Sequence, residues 1–181
     1  MDPELLPILA LPDAKLRVKA RPVGPADADR VRDLVPRMLA AMYAAPGIGL
    51  AAPQVGESLR LVVIDLQPDD RQEPMVLVNP EIVAQSEERA VREEGCLSIP
   101  GQYADVERPA RVKLRWLDPE GARHETEAEG LLAAPVPLDA GDARQPQVPG
   151  EAVHPRFRRR PLRLRPLLRL PLRRRSLRRP R

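Results

Sequence analysis

The apolar positions of this chain change period several times, and each change marks an element. From Leu5 to Leu11 apolar residues run nearly unbroken to Pro12-Asp13, a turn signal that leads into Leu16-Arg17-Val18. This predicts an N-terminal strand or arm lying against the domain. Between Ala28 and Tyr43, Val31, Leu34, Val35, Met38, Leu39 and Met42 recur at three- and four-residue spacings. That is one buried face of an amphipathic helix, with Asp27 or Asp29 near its start. Pro36 sits inside the pattern. An interior proline removes a helix hydrogen bond and costs about 3 kcal/mol, so a kink, or a helix that begins later, is expected.

The helical pattern stops at Ala45-Pro46-Gly47 and gives way to Gly47-Ile-Gly-Leu-Ala-Ala-Pro-Gln54, whose side chains are too small to fill a core. Backbone is expected to approach something closely there. Val, Ile and Leu then dominate from Leu59 to Asp65 and from Met75 to Val83, two strands separated by the polar stretch from Gln67 to Pro74. From Arg111 to Leu117, Val112, Leu114 and Trp116 alternate with Arg111, Lys113 and Arg115, as in a half-buried strand. Asp118-Pro-Glu-Gly121 reads as a turn, and Ala122 to Glu129 as its hairpin partner.

Beyond Ala134 the pattern is lost. Residues 135–181 hold nine prolines and 14 arginines, and Pro161, Pro166 and Pro171 interrupt the leucine-rich part. No helix of useful length survives such breaks, so a disordered or extended tail is expected. Charge divides at the same place. Residues 1–134 carry 16 Lys and Arg against 23 Asp and Glu, a net of −7, while residues 135–181 carry 14 Arg against three acids, a net of +11; together they make the formal +4. The pI of about 9.8 therefore describes the tail. The expected organisation is a body over 1–134 and a Pro/Arg/Leu-rich basic tail over 135–181. One cysteine excludes an intramolecular disulfide, nothing marks a secretory leader, and no window approaches 18 consecutive apolar residues. A cytoplasmic protein without a membrane span is the expectation.

The single cysteine, Cys96, lies in Glu94-Gly-Cys-Leu-Ser98. Taken alone, a cysteine is more often a small buried hydrophobe than a ligand or nucleophile. Its company shifts those odds. Gly47-Ile-Gly-Leu-Ala-Ala-Pro-Gln54, followed about forty residues later by Glu93-Glu-Gly-Cys-Leu-Ser-Ile-Pro100, resembles without a gap the first two signature motifs of peptide deformylases. These are metallohydrolases that remove the formyl group from the N-terminal formylmethionine of new chains. The flanks agree: Leu11-Pro-Asp-Ala-Lys-Leu-Arg17, Met42-Tyr43, Asp65 at a strand end, Asn79-Pro80, and Glu129-Gly130-Leu-Leu-Ala133. The resemblance spans residues 5 to 134.

The resemblance implies roles residue by residue. Cys96 is similar to the family's thiolate metal ligand, which suits ferrous iron or zinc (Fe2+ or Zn2+). Gln54 is similar to the side-chain donor to the formyl oxygen, and the backbone N–H of Leu97 to the second donor of the same oxyanion hole. Gly49 and Gly95 fall where backbone pairs with the peptide substrate, and Ile48 near its methionine side chain. Without the second motif, Gly47 and Gly49 would read as a plain turn and Gln54 as a surface residue. The implied partners are N-formylmethionyl nascent peptides and the ribosome.

The family's third motif, His-Glu-x-x-His on a helix with the glutamate as acid/base, is absent from the whole chain. Where it should begin, the sequence runs Ala134-Pro-Val-Pro-Leu-Asp-Ala-Gly141. His124-Glu125 imitates its start, but position 128 is Ala, and on a strand these two side chains point to opposite faces. A packing role in the hairpin is the better reading of His124, and an exposed position in the tail that of His154. A catalytic site of this type needs three protein ligands, and one is evident. The missing helix would also be the apolar centre of the α+β fold of mixed or antiparallel strands that the resemblance implies, so uncovered core surface is expected. An abrupt switch to Arg, Pro and Leu without Lys is what a GC-rich coding sequence yields out of frame. Three functional readings follow: an impaired deformylase-family member; a non-catalytic protein whose arginine tail binds RNA or ribosome through phosphates, against which stands a merely solvated charge run; and an enzyme with ligands rerouted to His124 or His154.

Overall fold

The computed structural model describes residues 5–129 and the backbone of Arg158–Arg159. The expectations for Leu131-Leu-Ala133, for His154 and for a disordered tail lie outside the described residues.

The N-terminal stretch is an arm rather than a strand. It is irregular up to a 3-10 turn at Ala14–Arg17, where the Asp13 carboxylate accepts the Lys15 N–H at 2.8 Å. The amphipathic pattern becomes α1 (Ala28–Ala44), with Val31, Leu34, Met38, Ala41 and Met42 buried. A later start does not occur, and the helix continues through Pro36. Pro36 and Arg32 both lie on the exposed side, where water can satisfy the Arg32 carbonyl that proline leaves without a donor.

Five antiparallel strands form the main sheet, in the order β1 (Gly49–Ala51), β2 (Leu61–Ile64), β3 (Met75–Gln85), β6 (Arg111–Leu117), β7 (Arg123–Glu129). Register sorts the apolar residues of β2 and β3 onto two faces: Leu61 opposes Val78, while Val62 opposes Leu77 and Ile64 opposes Met75. The first face joins Leu50, Leu59, Leu61, Val63 and Val78 to the buried residues of α1. The second gathers Ala51, Val62, Ile64, Leu77, Val112, Leu114 and Ala128. A strand buried on both sides reads as the continuous apolar run seen in β2 rather than an alternation. The residues of the second face are no more than 6% exposed. Met75, Ile82 and Trp116 pack against it, while the buried residues of α1 belong to the first face. Among the described residues α1 is the one α-helix.

A second sheet is built on the long hairpin β4 (Arg89–Cys96) and β5 (Ile99–Pro109), with β8 (Arg158–Arg159) paired to Gln102 and Tyr103. The sequence reading assigned no strands here. Charged residues occupy both faces, and no residue of β4 or β5 is fully buried, so the apolar alternation that reveals strands such as β6 is missing.

Candidate functional site

The two short motifs meet at the closed end of the β4–β5 hairpin. Cys96 is the last residue of β4 and pairs with Ile99, across a register irregularity that begins at Gly95. The turn between them holds Leu97 and Ser98. Gln54 lies in the 3-10 turn Ala52–Val55, which follows β1 directly. Its side-chain oxygen accepts the Ala51 N–H at 2.9 Å. This fixes the amide orientation, and Nε2 donates to Ser98 Oγ at 3.1 Å while lying 3.9 Å from Cys96 Sγ. Gln54 and Cys96 are therefore brought together across 42 residues of chain.

Sequence reasoning missed what binds the two motifs into one unit. Ser98 is 1% exposed and is the direct partner of Gln54. The N-terminal arm clasps both: Leu9 N–H donates to the Gln54 carbonyl at 2.7 Å and Leu11 N–H to the Ser98 carbonyl at 3.0 Å. The apolar run of the arm was the available signal, since a segment so apolar must lie against something. The glycines also acquire reasons. A Cβ on Gly47 would stand 2.7 Å from Leu97 Cδ1, and one on Gly95 2.7 Å from Tyr103 Cε1. The backbone approach expected around Gly47 is thus to the Leu97 side chain, which packs on the first core.

Ile48 and Gly49 lead into β1, at the edge of the main sheet, where Gly49 opposes Ile64. Asp65 holds them from behind. Its N–H donates to the Ile48 carbonyl at 2.9 Å, and its carboxylate accepts the Tyr43 hydroxyl at 2.6 Å, the Gln67 N–H at 2.8 Å and the Glu73 N–H at 3.1 Å. Asp65 is 1% exposed. Burial works to raise its pKa, but the hydrogen bonds from Tyr43, Gln67 and Glu73 outweigh it and hold the carboxyl below the ordinary range. Burial and the Asp65 bond together push Tyr43 up to about 12.

Donors for a metal are scarce. Burial pushes the Cys96 thiol up, with the Ser98 and Ile99 N–H groups pulling the other way. The Glu94 carboxylate is occupied by a two-pronged bond from Arg108, at 2.8 Å on each oxygen. His124 stacks on Trp116 with ring centroids 5.4 Å apart, and its Nε2 lies 2.7 Å from Asp118 Oδ2, in keeping with a packing role in the β6–β7 hairpin. Among the described residues no group of three or more His, Cys, Asp or Glu side chains could hold a metal ion. The described residues do not fit a three-ligand centre.

Among the described residues no helix is long and apolar enough to cross a membrane. A family model described as polypeptide deformylase matches residues 5–136. The chain is similar to the peptide deformylase of Mesorhizobium japonicum, 55% identical over 128 residues that make up 70% of this chain and 72% of that one. It is also similar to the peptide deformylase of Rhizorhabdus wittichii, 52% identical over 132 residues, 70% of this chain and 74% of the relative. The crystal structure of a peptide deformylase from Legionella pneumophila superposes with a TM-score of 0.70 at 45% identity, covering 76% of this chain and 80% of that one.

Proposed function

The chain belongs to the polypeptide deformylase family, and we propose that it keeps the part of the site that receives an N-formylmethionyl peptide while its own hydrolytic activity is impaired. Members of the family are metal-dependent hydrolases that act on formylated peptides. In this proposal Gln54 Nε2 turns from Ser98 to the formyl oxygen, the Leu97 N–H is the second donor, and Gly49 and Gly95 present backbone to the peptide, with Ile48 beside its methionine side chain. Replacing one neutral hydrogen bond by another costs Gln54 little, whereas aiming two donors at a developing oxyanion is worth several kcal/mol of barrier.

The observation that carries the impairment is the donor set. Cys96 stands without two further ligands among the described residues, and no His-Glu-x-x-His occurs in the sequence to supply them. A catalytic site with three protein ligands and an open position is not assembled from these side chains, so no step is routed through a metal, whether Fe2+ or Zn2+. The division into a body at 1–134 and a basic tail at 135–181, the latter read from a shifted frame, belongs to the same proposal.

Hydrolysis of a formyl-methionyl peptide by the purified full chain, measured with its metal content, tests the central claim. Metal well below one equivalent and turnover far below that of the Mesorhizobium japonicum relative are expected. Normal turnover with one tightly bound equivalent would refute it. For the tail, the nucleotide sequence across codons 130 to 150 decides: a frameshift is wrong if neither other frame encodes His-Glu-x-x-His.

A further inference from the structure

Asp65 is a buried carboxylate that the proposed chemistry does not use. Burying such a group is costly, and well-packed apolar side chains in its place are often as stable or more so. Its partners point to another use. The carboxylate accepts the Tyr43 hydroxyl at 2.6 Å, and the Asp65 N–H donates to the Ile48 carbonyl at 2.9 Å. Tyr43 stands in the last turn of α1, so the chain from Tyr43 to Ile48 is closed into a ring by this one residue. The Gly47 N–H donates to the Met42 carbonyl at 2.9 Å and draws the ring in. Gly49, just beyond it, is in register with Ile64, the neighbour of Asp65. The Gln67 and Glu73 N–H groups fix the orientation of the same carboxylate.

What the ring holds lies against the second motif. A Cβ on Gly47 would stand 2.7 Å from Leu97 Cδ1 and 3.3 Å from Leu97 Cγ, so the backbone of the first motif already rests on that side chain. In the proposed function Leu97 supplies the second donor, while Ile48 and Gly49 meet the methionine side chain and the peptide backbone. All three share one spacing, and the ring sets it. A binding site needs its groups within about 0.5 Å of the productive arrangement, which locked side chains and hydrogen-bonded supports provide. Tyr43 suits that task, because an aromatic side chain has few torsions to fix and its hydroxyl is held by a charged acceptor, the stronger kind of hydrogen bond.

We propose that Tyr43 and Asp65 are positioning residues for the methionine end of the site: their hydrogen bond closes the ring that sets Ile48 and Gly49 against Leu97, and selectivity for the methionine side chain depends on it. Neither residue touches the peptide. The proposal rests on the reading that Ile48 and Gly49 receive an N-formylmethionyl peptide.

Calorimetric titration of the full chain at neutral pH with formyl-Met-Ala-Ser and with formyl-Ala-Ala-Ser measures that selectivity as a ratio of dissociation constants. The parent should prefer the methionine peptide by about tenfold or more, the effect of burying one large apolar side chain. Y43F and Asp65→Ala each open the ring and should shrink this preference to about threefold or less. A chain that was merely destabilised would lose both peptides alike and keep the ratio. Asp65→Asn keeps polar atoms within reach of Tyr43 and of both backbone donors, so it should keep most of the preference. Y43F combined with Asp65→Ala should be no less selective than either alone, because both break the same bond. If the parent binds no formyl-Met peptide, or binds both peptides alike, the underlying reading fails and the proposal with it. A selective parent whose Y43F and Asp65→Ala variants keep the ratio, or an Asp65→Asn chain as unselective as Asp65→Ala, overturns the proposal and leaves that reading standing.

Discussion

Replacing Tyr43 by Phe removes one hydroxyl and nothing else, which isolates the bond that ties the end of α1 to the end of β2. In the folded chain that hydroxyl donates to Asp65 Oδ2 at 2.6 Å. A hydrogen bond to a charged acceptor contributes about 1.5–3 kcal/mol. The carboxylate keeps its Gln67 and Glu73 donors, so the loss stays near one such bond, about 2 kcal/mol. Asp65→Ala strips the acceptor from all three donors, and a cost of about 3 kcal/mol or more follows because they stay behind in a largely closed space. In the double variant the Tyr43 change should add little, giving a coupling of about 2 kcal/mol. The pH dependence has a definite sign. Asp65 titrates lower in the folded chain than unfolded, so its contribution is present above the ordinary carboxyl pKa of about 4. It is lost as pH falls through the lowered folded value. Tyr43 is raised to about 12, so its contribution is present below the ordinary phenol pKa of about 10 and lost as pH rises through about 12. Urea denaturation of the parent and Y43F from pH 3 to pH 9 checks this. A penalty at pH 7 below about 0.5 kcal/mol, or one that does not shrink toward pH 3, would refute the reasoning.

Two further outcomes test the join between the motifs. Gly95→Ala puts a methyl 2.7 Å from the ring of Tyr103, which is 39% exposed and can turn aside, so the cost should be about 1 kcal/mol or less; a larger loss in urea titrations that Tyr103→Ala does not relieve would place the strain elsewhere. Ser98→Ala removes the 3.1 Å acceptor of Gln54 Nε2, with an expected loss of about 1 kcal/mol. Its combination with Gln54→Ala should be less than additive, and full additivity would mean the two side chains do not depend on each other.

Pattern alone was enough where one periodicity dominated. The three- and four-residue spacing from Val31 to Met42 specified α1 and its buried face, and the alternation around Trp116 specified β6 to the residue. It was not enough for β4 and β5, whose faces are charged on both sides. Nor could it show the Asp65 clasp, because a lone acid at a strand end looks alike whether solvated or buried under three donors. Pro36 does not delay the start of α1, and the same spacing leaves it off the buried face.

By itself, then, the sequence determined the family motifs, the element types and the scarcity of metal ligands, since these depend on residue identity and local spacing. Only the tertiary structure decided that Gln54 meets Ser98 beside Cys96, and that Leu9 and Leu11 hold the motifs together. Those are matters of which distant polar groups, side chain or backbone, find each other. Local periodicity carries no record of such pairings; the closing of sheets and hairpins creates them.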